Sequence, residues 1–403
     1  MIDADGSAWP DTATSRLERS ALADIGERLR IAREAAGITQ ATASEAAGLA
    51  RTTLVAIEKG QRRVRIDELQ RLARCYGTSV NALFRREAVQ LDLLPAFRRL
   101  ASSQDAAIVT AGRLLTDLVS AEMELENLLG IQHPRNDPPY RPILPGDVRA
   151  QAEQDALELR QWFGLGLAPV TDIVSLLELQ AGVRVFVRRL DDPRISGLFA
   201  YDHRAGACML LNASHRPERR AQTAAHELGH LVSTRAEPDA LLEGAPEQSR
   251  EERYAAAFAR GFLTPQRAVT QRFREVTAGS AHLTRRHVIL LAHMFGVSRE
   301  AMVRRLEELG LARKGTWDWF QDHGGITDAQ AREVLGDQAF RGGGAEQPVS
   351  LRLELMAAEA WQRDLLTEGQ LARLLHYDRV ALRSVIDRFA REQDDADGAL
   401  VIA

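Results

Sequence analysis

Hydrophobic positions along this chain change their spacing several times, and each change marks an element. From residue 25 to residue 84 apolar residues recur at helical intervals in short runs. Ile25, Leu29 and Ala32 form one stripe, and glycines at 37, 48, 60 and 77 cut the pattern before it lengthens. The spacing predicts five short helices. Thr39 suits the N-cap of the second and Gly48 the turn into the third, which Leu49, Leu54 and Ile57 would pin to a core. Between 88 and 130 the helical period is sustained, for example by Leu114, Leu115, Leu118, Val119, Met123, Leu125 and Leu129. Five of the fourteen residues in HPRNDPPYRPILPG (133–146) are then proline, which no helix tolerates, so a linker and the main boundary are expected there.

Past the linker the pattern predicts helices at about 147–163 and 170–181. Strand-like runs follow at 183–190, 194–202 and 207–214, then a helix at about 216–234 and helices nearly to the end. The fold class is therefore mainly α: an N-terminal five-helix unit, a helical connector, an α+β domain with a small sheet, and a helical C-terminal region. The expected division is a disordered lead (1–20), the first unit (21–86), connector and linker (87–146), the α+β domain (147–312) and the C-terminal region (313–403).

Composition narrows the function classes. A net charge of −4 over 403 residues defines no partner, but residues 24–86 carry twelve basic residues against seven acidic ones. Two cysteines, Cys75 and Cys208, are too few for a disulfide framework or a Cys-rich metal site, and fit a reducing compartment. The polar, acidic start is no signal peptide and no apolar run reaches the length of a membrane span, so a cytoplasmic protein without a membrane partner is expected. Only Lys59 and Lys314 are lysine, so an isolated arginine carries less weight here than usual.

The basic excess sits where a recognition helix would need it. With Leu49, Leu54 and Ile57 turned inward, Arg51, Thr52, Thr53 and Ala56 face outward: short side chains for close approach to a groove, and one guanidinium able to reach a base edge. Gln61, Arg62, Arg63 and Arg65 extend the charge toward phosphates, and Gln40 at the start of the second helix completes the candidate contact set. A helical protein-interaction module is the bland alternative. The pattern GITQ…A…GL…T…IEKGQR resembles the Xre/Cro-like helix-turn-helix family end to end, with Ala50 where that family has a serine N-cap. The resemblance implies double-stranded operator DNA as a partner. A homodimer on paired half-sites is expected, because one small helix needs the second site for affinity.

The second chemical signal is His226-Glu227-Leu228-Gly229-His230, inside the helix predicted at 216–234. Positions i and i+4 stack on one helix face, so both imidazoles can aim at one ion, Zn2+ being the expected one. Glu227 is rotated by about 100° from His226 and so lies beside the ion, where a carboxylate can take a proton from water. Gly229 costs helix stability and predicts a close approach by another segment. A catalytic zinc wants a third protein ligand. SREERYAAAFARGFLTP (249–265) offers Glu252, in line with Ala255, Ala256 and Ala259 on a face narrow enough to lie against the motif helix, or, off that stripe, Glu251. A buried or solvated His pair without metal, and a metal kept for sensing, are the competing readings. Tyr201 and His203 are further candidates for polarising a carbonyl.

Residues of about 150–310, through SGLFAYD, MLLNASHRPERRAQTAAHELGHLV and REERYAAAFARGFLTP, resemble the ImmA/IrrE family of zinc metallopeptidases. That resemblance implies a zincin-like domain, His226, His230 and Glu252 as zinc ligands, and Glu227 as general base. It also implies a protease that cleaves helix-turn-helix repressors. Tyr254, Ala256 and Thr264 depart from the family pattern. Further on, 285–312 and 365–389 each read as a helix pair, capped by Ser298 and Thr367, with packing or partner recognition as their expected role, and TWDWFQDHGG (316–325) is an aromatic cluster expected in a core or an interdomain contact. Together these features predict a transcriptional regulator with a zinc-dependent endopeptidase domain, cleaving itself or a partner repressor under stress. A metabolite-responsive regulator without proteolysis and an antitoxin-like autorepressor are the alternatives.

Overall fold

The computed structural model describes residues 25–34, 36–76, 93, 97, 106–235, 238–242, 249–336 and 350–394. The chain forms two compact units, Met1–Gln90 and Leu91–Ala403. The expected lead at 1–20 and the fifth helix of the first unit lie outside the described residues.

Among the described residues of the first unit there are four helices: α1 (25–34), α2 (Gln40–Ala46), α3 (Arg51–Glu58) and α4 (Ile66–Cys75). Leu29, Ala43, Leu54, Ile57, Leu69 and Leu72 form their core. Thr39 caps α2 by accepting from the Thr42 amide, whereas Ala50 at the start of α3 supplies no side-chain cap. Gly48 takes a φ of 65° in the α2–α3 turn, a left-handed conformation that favours glycine. Beneath the turn, Arg33 donates to the buried carboxylate of Glu58 at 2.7 and 3.1 Å and ties α1 to α3.

The second unit is organised by a four-stranded sheet of order β1-β3-β2-β4. Its strands are β1 (Arg184–Arg188), β2 (Ile195–Asp202), β3 (Gly206–Asn212) and β4 (Asp239–Leu242). β1 runs parallel to β3, while β2 pairs antiparallel with β3 and with the edge strand β4. Three strands are buried on both faces, as a sheet between two helical layers must be. Val185, Val187, Phe199, Met209 and Leu211 face a layer that includes α6 (Val148–Trp162), α7 (Ile173–Gln180), α8 (Pro217–Ser233) and α9 (Arg250–Leu263). The alternate residues Phe186, Leu198, Ala200, Cys208 and Leu210 face α5 (Ala106–Leu129) and helices from the far end of the chain, through Leu115, Leu118, Leu125, Leu353, Met356, Leu371 and Leu382. Period-two alternation thus feeds two cores with one sheet.

Proline composition suggested a linker, yet the segment after α5 is tied down along its length. The Arg141 amide donates to Val232 O at 2.8 Å, Asn136 Nδ2 donates to Gln180 O at 2.9 Å, and Arg235 donates to Pro138 O. Proline removes donors from a segment but leaves its carbonyls as acceptors, and side chains of the neighbouring helices use them. The aromatic cluster at 316–325 also finds a place. Helix Thr316–Asp322 buries Phe320 in a small core with Val288, Ile289, Val303, Ile326 and Ala331, while Trp319 is 51% exposed. Among the described residues no helix is long and apolar enough to cross a membrane.

Candidate metal centre

Helix α8 starts with Pro217 at its first turn and is buried from Thr223 to Ser233, so the two histidines enter the protein on a fixed rod. Asn212 sets its direction: its Nδ2 donates to Ile195 O at 2.8 Å and its Oδ1 accepts from the Ser214 amide and hydroxyl, closing the turn that leaves β3. Arg220 donates to His215 O at 2.7 Å and Arg219 to Ser196 Oγ at 3.1 Å, which ties the first turns of α8 to the sheet end.

α9 then lies almost backbone to backbone on α8. A Cβ built at Gly229 would sit 2.9 Å from Ala255 Cα and 3.3 Å from Ala255 Cβ, which only glycine avoids. Ser249 caps α9 by accepting from the Glu252 amide at 3.0 Å, so Glu252 leaves the first turn of that helix beside the histidines. The structure brings the three sequence candidates together. His226 Nε2 lies 3.2 Å from His230 Nε2 and 3.3 Å from Glu252 Oε2, and His230 Nε2 lies 3.3 Å from Glu252 Oε1. Donors about 2.0–2.1 Å from a tetrahedral zinc are spaced by about 3.3 Å, the spacing found here. Glu251, the other sequence option, is not among the residues whose donor atoms converge.

Orientation of the rings supports the same reading. His230 Nδ1 faces Thr234 Oγ1 at 3.2 Å, and a proton held there leaves the Nε2 lone pair for an ion. Glu227 is fully buried and, among the described residues, neither of its carboxylate oxygens has a hydrogen-bond partner. Burial, then the charges of Asp239 and Glu252, push its carboxyl well above the usual range. Glu252 is held below that range by hydrogen bonds from His226 and His230, which outweigh burial. A buried carboxylate without a partner is costly unless a cation or a transferable proton is near it, and a divalent ion among His226, His230 and Glu252 fits that requirement.

Sequence reasoning missed one member of the cluster. Asp239, the first residue of β4, brings its Oδ2 to 3.7 Å from His230 Nε2, and the donor atoms of His226, His230, Asp239 and Glu252 all lie within 4.8 Å of one another. No motif marks it, because its place depends on β4 pairing with β2. Tyr201 is engaged elsewhere, donating to Asp137 Oδ2 at 3.0 Å and accepting from Arg135 at 3.3 Å, and the His203 carbonyl accepts from Arg135 at 2.7 Å. Two departures from the family pattern are bonded within the protein: Tyr254 donates to Asp155 Oδ2 at 2.8 Å, and the Thr264 hydroxyl donates to Arg260 O at 2.6 Å.

In the first unit, Arg51 and Thr52 at the start of α3 are exposed, as are Gln61 and Arg63 beyond it, while Thr53 and Ala56 are half-buried. Two of the expected DNA contacts are held by the protein itself. Gln40 Nε2 donates to Glu58 at 2.8 Å, and Arg62 pairs with Glu68 at 2.9 Å.

Residues 24–84 match the model of a helix-turn-helix domain, and residues 179–307 match the IrrE N-terminal-like domain of the M78 peptidase family. The second match spans the sheet, α8 and α9, and both matches leave α5 outside. Comparison with curated proteins gives no match.

Proposed function

We propose that this chain, which joins a helix-turn-helix DNA-binding domain to an IrrE N-terminal-like domain, is a transcriptional regulator whose second unit is a zinc-dependent endopeptidase. It acts in the cytoplasm on operator DNA as a homodimer, and it relieves repression under stress by cutting its own chain or a partner repressor. The observation that carries the enzymatic half is Glu227: a fully buried carboxylate without a hydrogen-bond partner among the described residues, one residue from the first of three donors spaced for an ion.

In this reading His226, His230 and Glu252 hold the zinc, and Thr234 fixes the His230 ring. A bound zinc would supply the positive charge that polarises a scissile carbonyl and makes water acidic enough to attack it. Glu227 takes the proton of the attacking water at its carboxylate and gives it to the departing amide nitrogen, the general-base role its place beside the three donors suits. The fixed backbone of α8 keeps that carboxylate in place through both transfers. A substrate segment must be extended to be cut. Cleavage of the chain's own connector within 106–146 would therefore require helix α5 or the pinned proline-rich segment to open.

The test is incubation of the zinc-loaded full chain, alone and with candidate helix-turn-helix repressors, beside Glu227→Gln and an EDTA control. Fragments are expected from wild type in at least one of these mixtures and from neither control. Equal fragmentation by Glu227→Gln would remove Glu227 from the role of base.

A further inference from the structure

Resting on the metal-site reading above, we infer that Asp239 is a fourth protein donor to the same ion, and that β4 thereby closes the coordination position a peptidase must keep open. Asp239 stands on the ion's side of His230. Its Oδ2 approaches Nε2, the nitrogen shared with Glu252 and His226, whereas the opposite nitrogen is taken by Thr234. A carboxylate that merely oriented the ring would sit at Nδ1. The Oδ2 atom is buried and has no hydrogen-bond partner among the described residues, although carboxylate oxygens in such places are normally bonded. An ion at the centre of the four donors accounts for it.

The donor count then decides the state of the centre. Four protein ligands make a closed zinc site of the structural kind, while three leave a place for water and substrate. Asp239 is the member that can leave. His226, His230 and Glu252 stand on two long helices packed backbone to backbone, whereas β4 has four residues, none fully buried, at the sheet edge with β2 as its ladder partner. Its register with β2 is also irregular at Ile195/Gly197. Short edge strands with few buried contacts open at lower free energy than packed helices. Release of the Asp239 carboxylate exchanges one oxygen ligand for a water, without a covalent or redox step. The second unit is therefore latent with β4 in place, and a partner or substrate that shifts β4 switches it on.

The experiment uses the full chain as wild type, Asp239→Asn, Asp239→Ala and His226→Ala. Cobalt(II) is loaded in place of zinc, and its visible absorption is recorded with and without acetohydroxamate. Zinc affinity is measured by competition with a chromophoric chelator. Both Asp239 variants are expected to keep one ion per chain, to bind it about 10- to 100-fold more weakly, to show an altered cobalt spectrum, and to take acetohydroxamate at concentrations where wild type does not respond. Thermal melts of the metal-free proteins identify any variant that has lost its fold. An unchanged spectrum and affinity in folded Asp239→Asn, with binding lost in His226→Ala, would overturn the fourth-ligand inference and leave the metal site standing. Absence of stoichiometric metal from wild type would overturn both.

Discussion

Among the described residues of the second unit, two clusters bring acids and histidine together, and their difference separates a site from scaffolding. At the first, His226, His230, Asp239 and Glu252 converge, with Glu227 beside them. At the second, Glu122, Glu126 and His133 lie equally close together, but their charge is already answered. Arg184 reaches Glu126 through both guanidinium nitrogens at 2.9 and 2.8 Å and Glu122 at 2.9 Å, and Arg352 adds a contact to Glu126 at 3.0 Å. His133 has Glu126 on one nitrogen at 3.0 Å and Gly182 O on the other at 2.8 Å, so neither is left for a metal. Although burial pushes Glu126 up, hydrogen bonds from His133 and Arg184 hold it down at about 2. The second cluster carries its own cations; the first calls for one. Counting residue types does not separate them; the arginine charge that reaches Glu122 and Glu126 does, although Glu122 Oε2 has no hydrogen-bond partner among the described residues.

Breaking the second cluster should have the largest effect. Arg184→Ala leaves Glu122 and Glu126 buried opposite a hole and should cost about 3–5 kcal/mol in denaturant unfolding, with little change in metal binding by the surviving folded protein. A pH series sharpens the same contrast. Glu178, joined to this network through Ser350 and Arg352, is pushed up to about 7 by burial, which the hydrogen bond from Ser350 only partly offsets. Between its ordinary value and 7 the native state holds a proton that the unfolded chain has released, so stability falls as pH rises through that window. The loss is about 3 kcal/mol, and Glu178→Gln should abolish it. A smaller effect is expected at the first cluster. Gly229→Ala drives a methyl into Ala255 and should cost about 1–3 kcal/mol, but here zinc affinity falls as well, because α9 carries Glu252 away from the histidines. If the alanine variant melts early yet binds zinc as wild type does, the α8–α9 contact is not what sets the site's geometry.

Much of this arrangement could be read from the chain. The helical period located α8 and α9, and the five-letter motif with Gly229 and the alanine stripe led to Glu252. Those signals are local, or link two helices that display them openly. Asp239 left no such trace. Asp-Ala-Leu-Leu has no clean alternation, and its position follows from β4 adding to β2. The second cluster was equally silent, because Glu122, His133, Glu178, Arg184 and Arg352 come from five separate segments and meet only after α5 and the C-terminal helices cover the sheet. The strand-like runs at 183–190, 194–202 and 207–214 did show where the sheet would form. They did not show which helices would cover them, since that choice is made by tertiary packing. In the first unit the exposure of Arg51 and Thr52 was legible from the inward residues Leu54 and Ile57, while the engagement of Gln40 and Arg62 by Glu58 and Glu68 depended on side-chain geometry.

The claim on which the rest depends is that the first cluster holds a divalent ion and the second does not. Metal content of the dialysed full chain, measured after loading with zinc, tests it directly. One zinc per chain is predicted for wild type and Glu227→Gln, with loss in His226→Ala and Glu252→Ala and retention in His133→Ala. Zinc that survives in His226→Ala, or a wild-type chain that retains none, would contradict the account.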